Sequence, residues 1–309
     1  MAKIITLTLN PCIDKSTSIH KVVPEKKLRC CTPLFEPGGG GLNVARAIKK
    51  LGGDATAIYP SGGHSGSFLE QLMFEEGHNS AVVRTKNKTR ENFIVFDNTT
   101  EQEYRFGMPG EELYENEWRQ CLSLIEQQHE AEFVVVSGSM PPGVPPTIFS
   151  AIANICNKIN ARLIVDTSGE ALIHAAGETV FLLKPNLVEL TTIAGLSEIK
   201  ASEVEKVALE VIKKGQIQIL LISLGALGAL MVTKEDVLRI VPPQVSAKSA
   251  VGAGDSMVAG FILGLSRGNN LKDALQLAIA CGTAATMTPG SELCRLDDVQ
   301  DLLSRIKRG

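Results

Sequence analysis

Asp255 closes the run Val251-Gly252-Ala253-Gly254-Asp255-Ser256, and that order of residue types suits the movement of a charged group. Two glycines let the backbone turn sharply and come close to a ligand. Behind them, apolar residues recur at 257, 258, 261, 262 and 265 with no proline, which predicts a helix starting at this loop. The unpaired amides and positive dipole end of a helix N-terminus hold an anion. A carboxylate at such a place is useful if it takes a proton. The combination therefore suits phosphoryl transfer to a hydroxyl, with Asp255 as base and the amides of Gly252, Ala253 and Gly254 as the anion hole. The same four residues also read as a tight turn with Asp as helix cap.

Other polar residues follow apolar runs that read as strands. Asp14 follows the run 4–9 and lies on a loop. Ser137-Gly138-Ser139 follows 133–136, Asp166 follows 163–165, Lys184-Pro185-Asn186 follows 180–183, and Ser223-Leu224-Gly225 follows 219–222. In a parallel sheet these positions share one rim, where ligands bind. Asn186 and Glu189 sit three apart at a helix start, so they face the same way; their oxygens suit Mg²⁺, or equally a capping box. Glu36-Pro37-Gly38-Gly39-Gly40-Gly41 reads as a second glycine loop before a helix at 42–48, with Asn43 at the helix start. Neither glycine loop is a Walker A or dinucleotide fingerprint, which makes an oxidoreductase the weakest reading. Arg90 and Arg105 suit a second phosphate if their strands cover the rim.

These residues need a frame. Apolar strands alternating with helical stretches predict an α/β fold: a doubly wound, mostly parallel sheet with helices on both faces, in one domain over 1–309. Helices are expected at 68–76, 118–125, 148–159, 187–194, 204–212, 257–265, 271–287 and 298–306, and a hairpin at 229–232 and 237–241. Two charged, alternating stretches, about 16–35 and 88–107, read as strands of a small separate sheet, a lid or an interface. The net charge of −3 implies no basic face for nucleic acid. No run reaches the ~18–20 apolar residues of a membrane span. Residues 1–9 are too short for a signal peptide, and seven cysteines without a CxxC pair read as reduced thiols in a cytoplasmic protein.

Three motifs together resemble the ribokinase-like (PfkB) carbohydrate kinase family: Gly38-Gly39-Gly40-Gly41-Leu42-Asn43-Val44-Ala45-Arg46, Lys184-Pro185-Asn186 with Glu189, and Val251 to Ser256. Thr8-Leu9-Asn10-Pro11 with Asp14 is similar to the opening of the branch acting on phosphorylated sugars. Tyr104-Arg105-Phe106 and Met108-Pro109-Gly110 point to fructose 6-phosphate, phosphorylated at C1 by ATP. Relatives acting on fructose 1-phosphate or tagatose 6-phosphate commonly carry lysine where this chain has Gly40, and both sugars remain alternatives. A silent sugar-phosphate-binding regulator is a further alternative that Asp255 argues against. The resemblance implies Asp14, Gly39, Gly40, Asn43 and Ser139 at the sugar, with Arg90 and Arg105 at its phosphate. It implies Lys184, Asn186, Ser223, Gly225 and Gly228 at ATP, with Lys27 at an inhibitory nucleotide and Lys27 or Arg29 near the sugar phosphate. Mg²⁺ would be held through water by Asn186 and Glu189, and K⁺ near Ser249, Val251, Ala285 and Gly290. A homodimer through the lid sheet is the implied assembly.

Overall fold

The computed structural model describes residues 3–308; residues 1, 2 and 309, with the start of the stretch 1–9 and both ends of the expected domain, lie outside it. In chain order the elements are β1 Lys3–Leu7, β2 Cys12–Ile19, β3 Leu34–Gly38, α1 Gly40–Lys50, β4 Thr56–Ser61, α2 Gly63–Glu75, β5 Asn79–Arg84, β6 Arg90–Asp97, β7 Gln102–Phe106 and α3 Glu115–Glu126. They continue with β8 Ala131–Ser137, α4 Ile148–Lys158, β9 Arg162–Asp166, α5 Gly169–Ala176, β10 Val180–Leu183, α6 Leu187–Ile193, α7 Val204–Lys214 and β11 Ile217–Ser223. The last are β12 Ala229–Val232, β13 Val237–Ile240, α8 Ala253–Ser266, α9 Leu271–Thr286 and α10 Leu296–Ile306.

Nine strands form the large sheet in the order β13-β12-β11-β10-β9-β8-β1-β4-β5. It is parallel from β5 through β11; at one edge β12 pairs antiparallel with β11, and β13 pairs antiparallel with β12. Its strands are apolar on both sides because both faces are covered. Along β8, Phe133 and Val135 join a core with α1, α2, α8, α9 and α10. Val134 and Val136 face the other way, into a core with α3, α4, α5 and α7. The mostly parallel, doubly covered sheet expected from the sequence is present.

A second sheet of four strands has the order β3-β2-β6-β7. Three features differ from expectation here. Asp14 lies within β2, where it faces Glu36 on β3 and Asn92 on β6, and not on a loop. The stretch 20–33 contains no strand; β2 and β3 occupy only its flanks, and Asp97 holds the intervening loop by accepting from the Val22 amide at 2.8 Å. Glu36 to Gly38 extend β3, and Gly40 and Gly41 already belong to α1, so the glycine loop shrinks to Gly39 at φ 109°. Strand β5 and helix α5 were not anticipated from the sequence. Among the described residues, no helix is long and apolar enough to cross a membrane.

Candidate active site

The parallel strands end on one rim, and α8 starts above its middle. Gly252 is the cap residue of α8 at φ 69°, a left-handed conformation that favours glycine. A Cβ there would also collide with the Leu293 side chain. Among the described residues no side chain caps α8, and of its first amides only Ala253 has a partner, a long 3.5 Å contact to the Ala250 carbonyl, so this end can serve an anion. Asp255 is not the cap. It is the third residue of the helix, and its carboxylate points to the rim.

Two side chains donate to that carboxylate: Asn43 Nδ2 to Oδ2 at 3.0 Å, and Ser137 Oγ to Oδ1 at 3.2 Å. Burial, with repulsion from Asp166 added, pushes the Asp255 pKa up to about 6 against the lowering effect of Asn43, Lys184 and Ser137. A base poised near neutrality is suited to exchanging a proton with a hydroxyl. Lys184 stands on the other side, paired with Asp166 at 3.1 Å and next to Gly254. Burial works against its ammonium, yet Asp166, Asp255 and Glu189 outweigh that, and its pKa ends above the ordinary lysine value. A fixed positive charge thus lies beside the uncapped amides.

Toward β1 and the lid, polar groups are bonded to one another. Asn10 Nδ2 donates to Ser139 Oγ at 3.1 Å and to the Pro109 carbonyl at 3.0 Å. Asp14, 5% exposed, accepts from Asn92 Nδ2 at 2.9 Å and from the Cys12 thiol at 3.2 Å. Arg90 donates to the Asn10 carbonyl at 2.9 Å, the Met108 carbonyl at 2.7 Å and Asn92 Oδ1 at 3.2 Å. Gly40 admits no side chain, since a Cβ would run into Ser137 Oγ and the Gly138 amide.

At the other end, Ser223 pairs with Asn186 in a parallel bridge, its amide donating to the Pro185 carbonyl at 3.1 Å. Asn186 and Glu189 form the reciprocal capping box: the Glu189 amide donates to Asn186 Oδ1 at 2.9 Å and the Asn186 amide to Glu189 Oε2 at 2.8 Å. Glu189 retains one carboxylate oxygen without a protein partner among the described residues. Gly225 opens a short 3₁₀ turn and Gly228 follows it, both at positive φ.

The structure therefore brings Asp255, Gly252, Ala253, Gly254, Asn43, Gly39, Gly40 and Lys184 together, with Asp14, Ser139 and Arg90 in the adjoining network and Asn186, Glu189, Ser223, Gly225 and Gly228 along the rim. Arg105 is apart: it is exposed on β7 and paired with Glu103. Lys27 and Arg29 lie on the exposed 20–33 loop and touch no rim residue among the described contacts. Ser249 and Ala285 are neighbours, the Ser249 amide donating to the Thr286 carbonyl. The Val251 amide donates to Ser249 Oγ at 3.1 Å, whereas Gly290 adjoins Ser16 and Glu36. Sequence reasoning passed over Ser137 as a partner of the base, the pairing of Asp166 with Lys184, and Asn92. Only the strand-end position of Ser137 and Asp166 signalled them.

The chain matches the model of the pfkB family carbohydrate kinases over residues 3–298. It is 41% identical over 309 residues to ATP-dependent 6-phosphofructokinase isozyme 2 of Escherichia coli, covering all of both chains. It is 42% identical over 299 residues to the isozyme 2 enzyme of Mycobacterium tuberculosis, covering 96% of this chain and 88% of that one. A crystal structure of phosphofructokinase-2 from E. coli in complex with substrates and products superposes with a TM-score of 0.95 at 41% identity, over 99% of this chain and 100% of the other. With the ribokinase-like architecture and the Asp255 rim in place, this chain belongs to the pfkB family of carbohydrate kinases.

Proposed function

We propose that the protein transfers the γ-phosphoryl group of ATP to the C1 hydroxyl of fructose 6-phosphate, giving fructose 1,6-bisphosphate and ADP. The observation that carries this reading is the Asp255 carboxylate, held by Asn43 and Ser137 against the uncapped start of α8. In the reaction Asp255 takes the C1 hydroxyl proton while that oxygen attacks phosphorus in line. The P–O bond to the β-phosphate breaks, and ADP leaves with the electron pair. The amides of Gly252, Ala253 and Gly254 and the Lys184 ammonium face the charge on the transferring group, so catalysis is mainly positioning and electrostatics.

Asp14, Gly39, Asn43 and Ser139 line the sugar hydroxyls in this reading, and Arg90 takes the 6-phosphate; Arg105 joins it only by leaving its Glu103 partner on β7. Lys184, Asn186, Ser223, Gly225 and Gly228 line ATP. The free oxygen of Glu189 beside Asn186 fits Mg²⁺ held through water, not by an all-protein cage. Bound there, Mg²⁺ neutralises phosphate charge. The backbone carbonyls near Ser249, Val251, Ala285 and Gly290 are donors of the type K⁺ accepts. The lid exposes Leu28, Leu34, Phe106 and Met108, which supports a homodimer through that sheet. In such a dimer Lys27 and Arg29 are available to a phosphate on the partner or to a second nucleotide.

The crowding at Gly40 leaves no room for the lysine of relatives that use other sugar phosphates, and this favours fructose 6-phosphate. A steady-state comparison of kcat/KM for fructose 6-phosphate, tagatose 6-phosphate and fructose 1-phosphate tests the assignment. Fructose 6-phosphate should lead by at least about tenfold, equivalent to ~1.4 kcal/mol of transition-state discrimination. A lead by either rival overturns it.

A further inference from the structure

Asn43 uses its amide nitrogen on Asp255, and its amide oxygen has a partner of its own. Arg46, three residues on along the same face of α1, donates from Nη1 to Asn43 Oδ1 at 3.4 Å. Arg46 is 1% exposed and among the largest fully buried side chains of the molecule. Nη1 carries two hydrogens for three acceptors, so the Asn43 contact is one arm of a shared bond, and the hydrogens on Nη2 and Nε are occupied as well. Nη1 donates to the Pro37 carbonyl at 2.9 Å and the Ser291 carbonyl at 3.3 Å. Nη2 donates to Glu36 at 3.2 Å and Glu76 at 2.8 Å, and Nε donates to Glu76 at 2.8 Å. Despite its burial, Glu76 is brought down to about 2 by His78 and Arg46 together, so the guanidinium always faces a charged partner.

A guanidinium has donors and no acceptor, whereas an ionised carboxylate has acceptors and no donor. The Asn43 amide lies between one of each. Only one orientation satisfies both, with oxygen toward Arg46 and nitrogen toward Asp255. The flipped amide would set oxygen against a carboxylate and NH₂ against a guanidinium. We infer that Arg46 is a positioning residue for the reaction: it fixes the Asn43 amide so that a donor faces the base, and it ties that amide to the end of β3, the loop after α2 and the 289–292 turn. This inference rests on the reading of Asp255 as the base. The other groups around Asp255 are Ser137 on β8, Asp166 on β9, Lys184 after β10 and the Cys12 thiol on β2, and among the described residues none of them is hydrogen-bonded to the Asn43 side chain.

The test measures kcat, KM for fructose 6-phosphate, the pH dependence of kcat, and thermal melting for wild type and three variants. Arg46→Lys keeps the charge but cannot hold every acceptor. It should lower kcat roughly ten- to a hundredfold, leave KM within about threefold, and move the acid limb of kcat to higher pH, because Asp255 loses an oriented donor. Asn43→Asp leaves the grip of Arg46 intact and gives it a carboxylate partner. It should fold, keep only a small residual turnover and show in that residual rate the same upward movement of the acid limb. Glu76→Gln weakens the outer anchor only; it should lower melting and leave the limb in place. An acid limb unmoved in Arg46→Lys, or turnover lost there only in proportion to unfolded protein, overturns the inference. If Arg46→Lys does not fold, an unmoved limb in Asn43→Asp overturns it. If wild type transfers no phosphoryl group, the kinase reading fails, and melting at pH 5 decides on the contact alone. There, Asn43→Asp melting at or above wild type supports the Arg46 pairing, and melting well below it refutes the pairing.

Discussion

At the β1–β8 end of the rim, Asn10, Asp14, Arg90, Asn92 and Ser139 are bonded side chain to side chain or to backbone far away in sequence, across both sheets. At the β10–β11 end, Asn186 and Glu189 bond to each other's backbone three residues away, and Gly225 lies exposed on a turn. The first arrangement holds polar groups in place before a ligand arrives, which lowers the entropy lost on binding and sharpens selection. The second leaves oxygens and backbone facing solvent, as suits a ligand recognised mostly by its phosphates and metal. Between them, Asp255 belongs to the crowded end through Asn43 and Ser137, while Lys184 belongs to the open end.

The comparison breaks most visibly at its centre. Asp255→Asn should lower kcat by about 10²- to 10⁴-fold, the span of general base catalysis, while the dissociation constant for fructose 6-phosphate changes by less than about threefold. Rapid-quench turnover and equilibrium binding check the two halves. Arg90→Met removes the contacts to two backbone carbonyls and to Asn92 Oδ1 and should lower kcat/KM for the sugar phosphate by roughly 10- to 100-fold, with KM for ATP little changed. Glu189→Gln should do the reverse, raising the Mg²⁺ concentration needed for half-maximal rate several-fold without altering sugar specificity; a Mg²⁺ titration reads it. If Arg90→Met and Glu189→Gln affect both substrates alike, the two-ended description is wrong.

The smallest effect concerns stability. The folded Asp255 pKa, about 6, lies above the ~3.9 of an unfolded aspartate. Between those values the folded state binds more protons, so this group makes stability decline as pH rises through about 4 to 6. Asp255→Asn should therefore melt a few degrees above wild type at pH 8, with the gap closing toward pH 4, as scanning calorimetry would record. A variant that loses activity yet melts higher is the signature of a strained functional carboxylate.

The elements carrying strong periodicity were legible in the sequence: β8, β10, α7 and the last three helices appear close to where apolar spacing put them. Strand β5 escaped because it is an edge strand, polar and exposed at Asn79, Ser80 and Arg84 and apolar at only three consecutive residues, with little alternation to detect. The glycine loop before α1 was overextended because glycine and proline read as loop, although β3 and α1 run almost to Gly39 from either side. Asp14 was misplaced because a new strand starts immediately after Asn10-Pro11. The common rim of the polar strand-end residues was legible because parallel topology gathers strand ends on one side. The roles of Ser137 and Arg46 were not: Ser137 meets Asp255 118 residues away, and Arg46 is held against Asn43 by an anchor on Glu76, 30 residues away.

The central claim is most directly tested by the pH dependence of kcat for the wild-type chain under saturating fructose 6-phosphate and MgATP. A base held by Asn43 and Ser137 predicts a single ionisation near pH 6 on the acid side, below which kcat falls tenfold per pH unit, and its absence from the residual rate of Asp255→Asn. A flat profile down to pH 5, or the same limb persisting in Asp255→Asn, would contradict the account.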